Sequence, residues 1–127
     1  MIDHVSIAVR DLAAGARFYL AVLAALGYSK LVSRPGTIGF GKKYPEFWLN
    51  ERRAMTPVDP DSGAHVCLRA PDTAAVDAFY AAALQAGGAT DGAPGPRPEY
   101  SAGYYAAFVR DPEGNRIEAV TFVTARA

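Results

Sequence analysis

The segment from His4 to Gly27 lies over the segment from His65 to Gly88 without a gap, at an offset of 61 positions. Eleven of the 24 aligned pairs are identical, among them His4/His65, Val5/Val66, Asp11/Asp72, Phe18/Phe79, Tyr19/Tyr80 and Gly27/Gly88. Alanine-rich stretches inflate such a count, but the His, Asp, Phe-Tyr and Gly pairs owe nothing to alanine. Solenoids need at least about three repeats to bury a continuous core. Two copies in 127 residues therefore read as pseudo-symmetric halves of one domain of ordinary size. The expected organisation is a single domain over 1–127, with module one at about 1–56 and module two at about 62–127.

Each copy carries the same local physics. Ile2 to Val9 alternates, with Ile2, His4, Ser6 and Ala8 on one face of a strand. Asp11 and Asp72 then offer carboxylates to the free amides of a helix start. Leu12, Ala16, Tyr19, Leu23 and Leu26 recur at spacings of four and three, as one helix face requires. Gly27 and Gly87-Gly88 supply the left-handed residue that ends a helix. Three short strands should follow in each half: 28–33, 37–40 and 46–50 in the first, and 89–92, 103–110 and 116–122 in the second. Arg34-Pro35-Gly36 and Asp111-Pro112-Glu113-Gly114-Asn115 read as turns, Pro57 to Gly63 as the link between halves, and Ala93 to Ser101 as a long irregular loop. The expected fold class is α+β: two βαβββ modules forming a curved, partly closed mixed sheet, a concave surface suited to a small-molecule ligand.

Charge and composition exclude several roles. A formal net charge of zero leaves no excess Lys and Arg for nucleic-acid phosphates or a polybasic membrane contact. No apolar run approaches the roughly 20 residues of a membrane span, and the start lacks signal-peptide character, so the expected location is cytoplasmic. The single cysteine, Cys67, sits in the apolar run His65-Val66-Cys67-Leu68 and reads as a buried small hydrophobe.

Three segments resemble the vicinal-oxygen-chelate superfamily of glyoxalase I, bleomycin-resistance proteins and extradiol dioxygenases. They are Asp3-His4-Val5-Ser6-Ile7-Ala8-Val9-Arg10-Asp11 with Phe18-Tyr19, then His65-Val66, then Asp111-Pro112-Glu113-Gly114-Asn115-Arg116-Ile117-Glu118. In metal-dependent members, ligands stand on the first and last strands of each half. The resemblance thus implies His4, His65 and Glu118 as metal ligands, with Glu118 also the only matched carboxylate for catalytic proton transfer. The remaining ligand position falls on Trp48 or Glu46; pairing Phe47 with Ile117 favours Trp48, which cannot bind metal. Two His and one carboxylate suit a divalent ion such as Zn, Fe, Mn or Ni. Duplication alone would also place two histidines at equivalent positions without any metal.

Trp48, Tyr100 and Tyr104 are candidate substrate-binding residues: a flat platform and two phenols beside the proline loop. Lys42, Lys43, Arg52 and Arg53 read as solvated surface. The preferred function is a metal-dependent lyase or oxygenase, glyoxalase-like or dioxygenase-like, acting on a small oxygenated molecule. The alternative is a metal-free drug-binding protein of the bleomycin-resistance kind. The balance is chemical: a metal-free binder has no need of two imidazoles and a buried carboxylate, each costly to desolvate unless paired. The resemblance also implies a homodimer, with the cup formed either within one chain or between two.

Overall fold

A computed structural model of the chain describes residues 1–124. The strand and helix order is β1 (Val5–Val9), α1 (Leu12–Ala24), β2 (Ser29–Arg34), β3 (Thr37–Gly41), β4 (Pro45–Glu51), β5 (His65–Arg69), α2 (Thr73–Gln85), β6 (Ala89–Pro96), β7 (Tyr104–Arg110) and β8 (Arg116–Phe122). The halves repeat in detail. Each forms a four-stranded sheet, β1-β4-β3-β2 and β5-β8-β7-β6, with the first strand parallel to the last and the remaining pairs antiparallel. The two sheets remain separate within the chain and do not close into a barrel.

The helix signals act as read. Asp11 and Asp72 are extended N-caps whose Oδ1 atoms accept from the amides of Ala14 (3.1 Å) and Ala75 (2.8 Å). Gly27 and Gly87 follow the helices at φ 86° and 97°, a region closed to most side chains. The buried stripe of α1 is broader than the spacing pattern, taking in Gly15, Phe18, Tyr19, Val22 and Leu23. The reason is that α1 packs both on its own sheet, against Phe40, Phe47 and Leu49, and on α2.

Two boundaries differ from expectation. The ladder of the first strand begins at the Val5–Phe47 pair, so Ile2 is exposed and His4 stands just ahead of β1. The expected irregular loop is strand as far as Pro96. Pro94 and Pro96 are tolerated because β6 is an edge strand, and because register shifts between Thr90 and Gly92 and again between Gly92 and Gly95 take Pro94 out of the ladder.

The turn Asp111 to Asn115 clasps the modules together. Asp111 is 4% exposed and accepts from the Tyr19 hydroxyl (2.6 Å), the Asn115 side chain and the amides of Glu113 and Asn115. Burial pushes its carboxyl above the ordinary range, against the opposing pull of these donors. Asn115 Nδ2 reaches the Ala8 carbonyl, and Glu113 takes both the amide and the guanidinium of Arg10.

Candidate functional site

Alternation along β5 sends Val66 and Leu68 toward the apolar core and leaves His65, Cys67 and Arg69 on the open face. Cys67 is therefore exposed, correcting the reading of it as a buried hydrophobe; the apolar run around it serves only its neighbours. On β8 the register sets Glu118 directly opposite Cys67 on one side and Phe108 on the other. Glu118 is 3% exposed, and its only salt-bridge partner among the described residues is His65, with Nε2 3.3 Å from Oε1. The Tyr104 hydroxyl donates to the second oxygen, Oε2. Cys67 stands opposite Glu118 in the parallel ladder, which brings its thiol under the influence of that carboxylate.

This cluster shapes proton affinities. Burial, then the Glu118 carboxylate, pushes the Cys67 thiol up to about 12. Burial, then its hydrogen bond to Glu118, raises Tyr104. Both side chains accordingly remain protonated near neutral pH, with the Tyr104 hydroxyl donating to Glu118. Beside Tyr104 and Glu118 lies a cavity of about 450 Å³ with Tyr100, Tyr104 and Phe108 on its aromatic side and Asp91, Arg116 and His65 on its polar side. Tyr100 is 60% exposed and meets the Tyr104 ring edge-on at 5.2 Å. Arg116 is held by the linker carbonyls of Pro60 and Ser62, and shares Asp91 with Arg110.

The first module presents a different face. In the parallel register Trp48 pairs Ser6 as Glu118 pairs Cys67, so Trp48 occupies the position equivalent to Glu118. Its ring lies over Gly39, where a Cβ would come within 2.9 Å of it, and the Arg34 guanidinium stands 5.9 Å from the ring centroid. Glu46 lies two residues earlier, beside Tyr28, whose phenol is raised by burial and then by this carboxylate. His4 is solvent-exposed, with Nδ1 2.7 Å from Asp3 Oδ1.

Of the three ligand candidates, the chain brings His65 and Glu118 together and leaves His4 elsewhere. Among the described residues no three His, Cys, Asp or Glu side chains are gathered as a metal-holding group. The pair itself does fit an ion. Donors about 2.1 Å from one ion stand about 3.0 to 3.4 Å apart at octahedral to tetrahedral angles, and the observed separation is 3.3 Å. Among the described residues no Lys or Arg pairs with the buried Glu118 carboxylate, a setting that suits a cation. Tyr104 lines the cavity, with its hydroxyl engaged on Glu118. Cys67, Phe108, Asp91 and Arg116 were not picked as site residues from sequence; strand parity counted from His65 and Glu118 would have found the first and the last.

The sequence matches the family model described as the Glyoxalase/Bleomycin resistance protein/Dioxygenase superfamily over residues 1–119. No curated protein matches it. Among solved structures, a glyoxalase/bleomycin resistance protein from Albidiferax ferrireducens T118 is 30% identical, with 93% of this chain and 96% of that one covered at a TM-score of 0.83. A glyoxalase/bleomycin resistance protein/dioxygenase family enzyme from Burkholderia phytofirmans PsJN is 21% identical, covering 96% and 98%, at 0.73. The fosfomycin resistance protein FosX from Mesorhizobium loti is 17% identical, covering 97% and 92%, at 0.70. The last two likenesses are of fold alone.

Proposed function

The chain belongs to the glyoxalase/bleomycin resistance protein/dioxygenase superfamily, and from that premise we propose that it is a metal-dependent enzyme acting on a small oxygenated molecule bound over His65 and Glu118. One observation carries the reading: a buried carboxylate and an imidazole nitrogen 3.3 Å apart at the wall of a cavity of about 450 Å³. His65 Nε2 and Glu118 Oε1 would hold the ion, and the partner subunit's His4 would complete the set in a homodimer. When bound, a divalent ion polarises substrate oxygens and stabilises the negative charge that develops on them.

The chain's own residues do the rest. Tyr104 holds Oε2 of Glu118 and so leaves Oε1 toward His65. Tyr100 and Phe108 offer ring faces that position a flat substrate and exclude water from it. Proton transfer falls to Glu118, the one carboxylate among the described residues that pairs with His65.

Protein purified without chelator should hold about one ion per chain by elemental analysis. Glu118→Gln keeps the shape and removes the charge, so it should lose the ion while the circular dichroism spectrum stays unchanged. Retention of the ion by that variant would mark Glu118 as a structural carboxylate and overturn the reading. Trp48 in the fourth ligand's place favours a second reading, a metal-free binder of flat ligands. It requires ligand binding that survives exhaustive chelation.

A further inference from the structure

We propose that the cavity beside His65 and Glu118 selects a flat molecule bearing a carboxylate, and that Arg116 is the residue that binds that carboxylate. The inference rests on the reading of this cavity as the substrate site and deepens it by naming a substrate class; it does not depend on the ion.

The polar side of the cavity carries more cation than anion. Arg116 lies two residues before Glu118 on the same face of β8, directly beside His65 in the parallel ladder and opposite Arg110 on β7. Asp91 sits where the register of β6 shifts between Thr90 and Gly92, and a bulge of this kind re-aims a side chain. Among the described residues Asp91 is the one carboxylate paired with either arginine, 3.4 Å from Arg110 Nη2 and 3.7 Å from Arg116 Nε. Tight charge-assisted bonds close to about 2.7–2.9 Å, so one carboxylate is divided between two cations and compensates neither in full.

The other bonds of Arg116 run to the neutral carbonyls of Ser62 and Pro60. They fix the guanidinium at the cavity wall and leave its charge in place. Each terminal nitrogen gives one N–H to the linker and retains a second for a ligand oxygen. Across the cavity Tyr100, Tyr104 and Phe108 supply the rings that a flat molecule would lie against. A neutral molecule would gain nothing from the surplus charge, whereas a carboxylate would complete it. The duplication provides an internal control. The first-module counterpart of Arg116 is Glu46, of opposite charge, so the repeat alone does not account for an arginine here.

Calorimetric titration of the full chain with 2-naphthoate and with its neutral isostere 2-naphthamide tests this, on protein as purified and after exhaustive chelation. Naphthoate should bind roughly tenfold or more tightly than the amide in both preparations. Arg116→Met should cancel that preference and leave naphthamide binding in place. Asp91→Asn removes the competing carboxylate, so it should tighten naphthoate severalfold and not the amide, a gain that a loosened fold does not produce. Equal affinities for the two probes, or no binding of either at millimolar concentration, overturn the proposal. A preference for naphthoate that disappears on chelation places the carboxylate on the ion and also overturns it, leaving the metal reading intact. A preference that persists in wild-type protein found to hold no ion supports the arginine site and overturns the metal reading alone.

Discussion

Tyr19 and Tyr80 hold equivalent places in the repeat, yet Tyr19 is fully buried with its hydroxyl on Asp111, while Tyr80 donates to Thr90 Oγ1 near solvent. Removing a donor from a buried carboxylate leaves it short of a partner, at a cost of about 1–3 kcal/mol. Tyr19→Phe should lower the unfolding free energy read from urea melts by that much, whereas Tyr80→Phe should stay within about 0.5 kcal/mol; equal effects would deny Asp111 its special burial. Cys67 makes a second, pH-dependent prediction. Its thiol is raised from 9.0 to about 12, so above pH 9 the unfolded chain releases a proton that the folded one keeps. The folded state then binds more protons, and stability falls as pH rises from 9.0 toward about 12. Cys67→Ser should flatten the start of that decline in urea midpoints between pH 8 and 10, and an unchanged slope would place the thiol outside the Glu118 cluster. The resemblance pointed to His65 and Glu118, which the structure brings to 3.3 Å, and also to His4, which it leaves apart on Asp3. Cys67 was not legible as an open-face residue, since an apolar run was read by composition when the strand's period of two decides which face each residue takes.

Local signals and tertiary pairing divide the credit at the level of elements. Both helices were legible because cap, stripe and terminal glycine all pointed the same way. The strand content of β6 was hidden, since Pro94 and Pro96 argue against a ladder unless the strand is an edge with bulges, and strand order is not a local property. The displacement of Glu118's counterpart by Trp48 was legible from the Phe47–Ile117 match, and the ladder registers place it there. What the sequence did not disclose is how the indole is seated. A Cβ on Gly39 would come within 2.9 Å of the Trp48 ring and 3.0 Å of Pro45 Cβ. Gly39→Ala should therefore tilt the indole off the sheet, destabilise the chain by about 1–3 kcal/mol, and shift the emission of the one tryptophan. Unchanged emission with unchanged stability would mean that the ring has room to spare.

For the molecule as a whole, the arrangement of the halves bears on where a site is completed. The modules meet through α1, α2 and the Asp111 turn, and β1 and β5 each remain an edge strand on one side. Edge strands invite pairing with another chain. His4 stands on Asp3 at one edge, and His65 with Glu118 at the other. A two-fold dimer that sets β1 of one chain along β5 of the next would give two equivalent sites, each with His4 from one chain and His65 with Glu118 from the other. That arrangement makes a prediction that a site within one chain does not share. His4→Ala and Glu118→Gln should each lose the metal alone. Mixed and allowed to exchange subunits, they form heterodimers in which one site has every ligand intact and the other lacks both. Random pairing makes half the dimers heterodimers, so about a quarter of the wild-type metal content should return. Elemental analysis of the mixture after refolding together reads this directly, with each variant refolded alone as the baseline. A mixture that holds no more metal than its components places His4 outside the site, or the whole site within one chain.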